Sequence, residues 1–187
     1  DYNRAMGIET KHPLVTVVNE GDVKQFPFKD EVTYQYGVYA LFLKQTYCGD
    51  MTYGRMPYDY QEGTVTSFAP GQVVKVKLRL DFKPRSQGLL FHPDLIRGTS
   101  LGQDIRQYSF FSYSSREALH LSEQEEAIYK DCLDKIRLEL NRPIDGPSQK
   151  LICRNIEVLL DYCLRSYERQ LITCNAANRA VAAQFAE

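Results

Sequence analysis

Tryptophan is absent from the 187 residues, histidine occurs only three times, and neither sign of charge prevails: 23 Lys and Arg face 24 Asp and Glu, for a net charge of −1. So balanced a chain sets up no global field toward nucleic acid or an anionic bilayer, which argues against a free-standing DNA-binding protein. Long apolar runs are missing as well. None approaches the roughly 20 residues that span a bilayer, and the start Asp1-Tyr2-Asn3-Arg4 lacks the apolar stretch of a signal peptide. The expected compartment is the cytoplasm, with no membrane partner. No two cysteines are spaced Cys-x-x-Cys, and the five present (Cys48, Cys132, Cys153, Cys163, Cys174) are odd in number. A disulfide framework or zinc site is therefore not indicated, and reduced, mostly buried thiols are expected.

Catalytic signatures are equally scarce. His12, His92 and His120 lie far apart, and none has a second His at i+2 or i+4, whereas a metal centre needs three or four converging ligands. No metal and no cofactor is expected, and His92, ahead of Pro93, reads as a hydrogen-bonded structural histidine. A G-x-S-x-G elbow for a serine nucleophile does not occur. Gly98-Thr99-Ser100-Leu101-Gly102 lacks both the Lys-Ser/Thr of a phosphate loop and the third Gly of a dinucleotide fingerprint, so it reads as a turn. No catalytic residue is assigned, and the chain is not expected to be an enzyme.

What the chain does have is aromatic side chains. Eighteen of its 22 Tyr and Phe residues fall in residues 1–121, which separates two regions of different build. Hydrophobic residues at 43% and charged residues at 25% are globular values, and the length suits one domain with a small appendage. The first region reads as strands between turns: Leu14–Val18, a Tyr- and Val-rich run over 32–45 interrupted by Gly37, 51–60 after a Cys48-Gly49-Asp50 turn, and 64–68. Val74, Val76, Leu78 and Leu80 alternate with Lys75, Lys77, Arg79 and Asp81, the pattern of a strand with one buried and one solvated face. Short helices are expected over 94–97 and 101–108.

From Leu121 the period changes. Ser122 and Glu125 form a capping box, after which Ile128, Tyr129, Cys132, Leu133, Ile136 and Leu140 recur at helical spacing until Asn141-Arg142-Pro143. A second helix follows Asp145-Gly146-Pro147, and the short connection makes the two antiparallel neighbours. Residues 172–187 are Ala-rich and read as a connector.

Two surfaces invite function. A β region walled with Tyr and Phe can hold a small molecule, its rings supplying apolar contact and its phenols orientation. The candidate ligand-binding residues are Tyr36, Tyr39, Tyr53, Arg55, Tyr58 and Phe68. The same rings can instead simply fill the β region, since Gly37 leaves the inside and outside faces unassigned. On the second helix, Leu151, Ile156, Leu159 and Cys163 form an apolar stripe, proposed as a homodimer interface beside its intramolecular packing.

The stretch GTVTSFAPGQ at 63–72 resembles the second half of a cupin barrel signature, with Val73 and Val74 where metal cupins place histidine and with the His-x-His and Glu of the first half missing. DFKPRSQGLLFHPDLIRGTSLG at 81–102 and YSFFSYSSREALHLSEQE at 108–125 resemble the regulatory domain of AraC-type transcription factors. The resemblance implies a mainly β fold, a cupin-like antiparallel β-barrel (double-stranded β-helix) over 1–121 that senses a small-molecule effector. It further implies an antiparallel dimerising helix pair over 122–171, and a linker over 172–187 into a helix-turn-helix domain that alone would contact DNA. The alternatives are a free-standing small-molecule-binding cupin and a cupin-fold enzyme.

Overall fold

The computed structural model describes residues 2–19, 22–23, 31–47, 49–78, 85–112 and 117–184, the side chains of 78 and 175–184 apart. A short helix α1 (Tyr2–Met6) precedes β1 (Val15–Val18), β2 (Glu31–Gln35), β3 (Tyr39–Lys44), β4 (Gly49–Tyr53), β5 (Met56–Tyr58), β6 (Thr64–Phe68), β7 (Val73–Leu78) and β8 (Ser86–Phe91). Helices α2 (Pro93–Ile96) and α3 (Ser100–Asp104), two single 3₁₀ turns, and β9 (Leu119–His120) follow. The chain then enters α4 (Glu123–Leu140) and α5 (Gly146–Gln184).

The strands form two antiparallel sheets, a five-stranded one in the order β1-β8-β3-β6-β9 and a four-stranded one in the order β2-β7-β4-β5. Among the described residues no ladder joins the two, so the β region is an open two-sheet sandwich. At one side a single bridge between Asp59 and Glu117 ties the sheets, reinforced by the Ala118 amide donating to the Asp59 carbonyl at 2.8 Å. At the other side the edge strands β1 and β2 leave a seam.

β3 explains why the five-stranded sheet is central. Its Ala-Leu-Phe-Leu run is buried throughout, as a strand covered on both faces requires. Alternation sends Leu41 and Leu43 toward the helices with Val65, Leu89 and Phe91, and Ala40 and Phe42 toward the second sheet with Phe68 and Leu90. Gly88 on β8 lies where a Cβ would come within 2.5 Å of the Phe42 ring and 2.6 Å of the Leu41 carbonyl, so only glycine fits there.

The run expected over 32–45 is two strands in different sheets. The chain crosses between them at 36–38, held by the Gly71 amide donating to the Tyr36 carbonyl at 2.7 Å and the Tyr36 amide to the Gln72 carbonyl at 3.0 Å. The segment expected over 51–60 is a hairpin that starts earlier: Gly49 and Asp50 pair with Leu78 and Lys77 rather than forming a turn, and the turn is Gly54-Arg55, with Gly54 at φ 61°. In β7 the alternation holds, with Val74 and Val76 buried and Lys75 and Lys77 exposed; Arg79, Leu80 and Asp81 lie outside the described residues.

The capping box forms as expected: the Ser122 hydroxyl accepts from the Glu125 amide, and the Glu125 carboxylate accepts from the Ser122 amide. Helix α5 opens on a reciprocal cap of its own, Asp145 Oδ1 accepting from the Ser148 amide and Ser148 Oγ from the Asp145 amide, each at 2.8 Å. The two helices pack on the outer face of the five-stranded sheet and share one core with it, in which Tyr129, Leu133, Ile136, Ile152, Ile156, Leu159 and Leu160 are at most 2% exposed. The pair therefore has no core separate from that of residues 1–121. After Leu171 α5 runs on as helix to Gln184, because 172–184 contains neither Gly nor Pro and is rich in the best helix former, Ala. Its 39 residues make a rod of about 58 Å. Among the described residues no helix is long and apolar enough to cross a membrane.

Candidate functional site

The seam between β1 and β2 holds a cavity of about 650 Å³, within the size range of small-molecule sites. Helix α1 lies over one side of it, β1 and the end of β8 form a second wall, and β2 with the Tyr36-Gly37-Val38 crossing forms the third. Two other crevices, lined by polar groups near Arg137 and near Lys150, are about half as large.

Helix α1 is pinned by its own side chains. Asn3 Nδ2 donates to Thr16 Oγ1 on β1 at 2.8 Å and to Thr10 Oγ1 at 3.2 Å. The Tyr2 ring packs 6.0 Å from Phe42, and burial pushes its phenol up to about 12, so it stays a neutral donor at any physiological pH.

His12 and His92, distant in sequence, line the same cavity. Each is followed by proline, which has no N–H to offer, and each turns back to the next amide along: His12 Nδ1 accepts from the Leu14 amide and His92 Nδ1 from the Asp94 amide, both at 3.1 Å. The second contact caps α2, whose first residue is Pro93, the structural role expected for His92. An Nδ1 that accepts carries no proton, so the neutral His12 ring keeps its hydrogen on Nε2, while His92 Nδ1 also lies 3.5 Å from the Asp94 carboxylate. Burial also holds the His12 pKa below the usual histidine value. Among the described residues, no three His, Cys, Asp or Glu side chains are grouped to hold a metal ion.

Three of the six candidate ligand residues converge on a fourth, Phe68. Tyr36 stacks on its ring at 5.0 Å, Tyr53 meets it edge-on at 5.6 Å, and Tyr58 lies 6.0 Å away and edge-on to Tyr53 at 5.7 Å. Tyr53, Tyr58 and Phe68 are at most 5% exposed and fill the space between the sheets; Tyr36 alone of the six lines the cavity. Tyr39 points the opposite way, as its odd place in β3 dictates, and stacks on Phe91 at 5.0 Å under the helices. Arg55 is exposed in the β4–β5 turn and supplies no charge to the cavity.

On α5 the expected interface residues divide as well. Ile156, Leu159 and Cys163 are at most 2% exposed and belong to the core beneath the helix, whereas Leu151 is 44% exposed. The exposed large apolar residues of α5 are Leu151, Val158, Tyr162, Leu171 and Ile172, of which Leu151, Val158 and Tyr162, seven and four residues apart, share one helical face; Leu138 on α4 is exposed as well. Cys132 and Cys153 are also buried, Cys174 is exposed, and Cys48 lies outside the described residues.

Sequence reasoning missed α1 and the paired roles of His12 and His92. The repeated His-Pro dipeptide was the available signal, since proline at i+1 is what frees the imidazole to take the amide at i+2. No family model matches the chain, and no curated protein matches it.

Proposed function

We propose that this chain is the effector-sensing and dimerisation region of an AraC-type transcription regulator, non-catalytic and cytoplasmic, with an opened cupin-like sandwich as its sensor. The observation that carries the reading is the roughly 650 Å³ cavity in the seam, together with its place in the chain. Of the family-like strings, the described part of 81–102 runs along β8, whose end walls the cavity, and that of 108–125 ends in the first turn of α4, so the stretch joins the candidate ligand site to the helices. Mechanism then follows from linkage: an effector that binds one arrangement of α1, the seam and the helices better than another shifts the population toward it.

Helix α5 supports the second half of the reading. It is clamped to β9 by Gln170, whose Oε1 accepts from the His120 amide at 2.9 Å, and to the first turn of α4 by Arg169, which pairs with Glu125 at 2.9 Å. Beyond this clamp it continues as helix, a rigid arm able to carry orientation from the sensor to a following domain. A homodimer would form through the outer face of Leu151, Val158 and Tyr162, not through the buried Ile156, Leu159 and Cys163.

The test is the reading frame after the codon for Glu187. The proposal expects roughly 100 further residues with two helix-turn-helix patterns and a basic recognition helix. An immediate stop codon would overturn it and leave a free-standing ligand-binding domain.

A further inference from the structure

The cavity's wall is informative about what it can hold. Among the described residues it carries no carboxylate, ammonium or guanidinium, and its polar lining is made of phenols, amides, threonine hydroxyls and two imidazoles. Of these, the Asn3 amide is engaged in holding α1 to Thr10 and Thr16. His12 Nδ1 is occupied by the Leu14 amide and His92 Nδ1 by the Asp94 amide, with the Asp94 carboxylate 3.5 Å away, so Nε2 is the ring nitrogen that each leaves for a ligand. The remaining wall is apolar, with Met6, Val15, Val32, Val38 and Leu90 among its members. Among the described lining residues an ion moved from water meets no carboxylate, ammonium or guanidinium to repay its lost hydration, whereas a neutral group meets hydrogen-bond donors.

We propose that the ligand of this cavity is an uncharged, largely apolar molecule bearing a carbonyl or hydroxyl oxygen, which accepts from the Nε2 hydrogens of His12 and His92. This inference rests on the reading of the cavity as the effector site. From the described walls it predicts weak binding of sugar phosphates, ionised carboxylic acids and zwitterionic amino acids. Burial keeps the His12 ring and the Tyr2 phenol neutral at pH 7, so neither gives the wall a charge under those conditions.

Two probes with the same rings separate the possibilities: N-phenyl-1-naphthylamine, which is neutral, and 1-anilinonaphthalene-8-sulfonate, which adds one sulfonate. Fluorescence titration of the whole chain at pH 7 should give one blue-shifted site per chain for the neutral probe and at least about tenfold weaker binding for the sulfonate. Equal or tighter binding of the sulfonate overturns the assignment of ligand class while leaving the cavity as a ligand site. Binding of neither probe removes the cavity as an effector site and the inference with it. Placement is read with Val32→Trp and, independently, Gly37→Trp, since a Cβ on Gly37 meets nothing within 4 Å and the variant should fold. Either ring should weaken the neutral probe at least tenfold with an unchanged melting temperature; unchanged affinity in both folded variants would place the probe elsewhere and overturn the proposal.

Discussion

Leu159 and Val158 are neighbours on α5 with opposite surroundings, 0% and 45% exposed, and the pair tests which face of the helix is core. Leu159→Ala removes apolar atoms from a fully buried position and leaves a cavity between helix and sheet, a change that costs about 2–5 kcal/mol. In a chain of this length each kcal/mol moves the melting temperature by about 2–4 °C. A loss of about 3 kcal/mol therefore lowers it by roughly 6–12 °C. Val158→Ala leaves the core intact, so its effect stays within about 0.5 kcal/mol, under about 2 °C. The assay is differential scanning calorimetry at one low protomer concentration, because subunit association also shifts an apparent melting point, with light scattering on the same samples. The reasoning is refuted if Leu159→Ala melts with the parent protein, and above all if it does so while halving the particle mass. Leu159 would then belong to an interface between copies.

Other perturbations probe separate joints. Tyr162→Asp, combined with Val158→Asp, should give a folded monomer by light scattering, while Ile156→Asp should abolish the cooperative melt; a dimer that survives the double change places the interface elsewhere. Gly88→Ala drives a methyl group into Phe42 and the Leu41 backbone, and should lower the urea midpoint by an amount corresponding to about 1–3 kcal/mol. Burial alone would raise the Glu125 pKa, but hydrogen bonds from Ser122 and Ser166 and the Arg169 charge outweigh it and hold the carboxyl below its ordinary value of 4.5. The stability this contributes is complete above pH 4.5 and is lost as pH falls through the folded-state value. Glu125→Gln should thus be less stable than the parent at neutral pH, and its urea midpoint should fall less on acidification; parallel curves would show that Glu125 is not the titrating group.

Much of the fold was legible where a single face decides the pattern. The alternation over β7 and the helical spacing of Tyr129, Cys132, Leu133 and Ile136 each follow from one buried side, and the Ser122-Glu125 cap is a local chemical device visible in four residues. Legibility failed where partners distant in sequence decide. Gly49 and Asp50 look like a turn until β7 offers them a ladder, and β8, with glycine inside it, is a central strand only because Phe42 and Leu41 need that empty position. The candidate site was half legible for the same reason: aromatic residues announce a packed interior, but whether Tyr53 and Tyr58 fill it or face a ligand depends on where the sheets part. That seam is set by α1 and by the ends of β1 and β2, and its histidines come from two His-Pro turns about 80 residues apart in the sequence. On α5, a stripe read from period alone could not tell the face covered by the sheet from the face left outside.

The proposed control of DNA binding by a sensor region is open to one decisive experiment, selection of random duplex oligonucleotides with the product of the complete reading frame. The account predicts strong enrichment of a site with half-sites spaced by about one helical turn or a multiple of it. A folded product that enriches no sequence over the starting pool would contradict it.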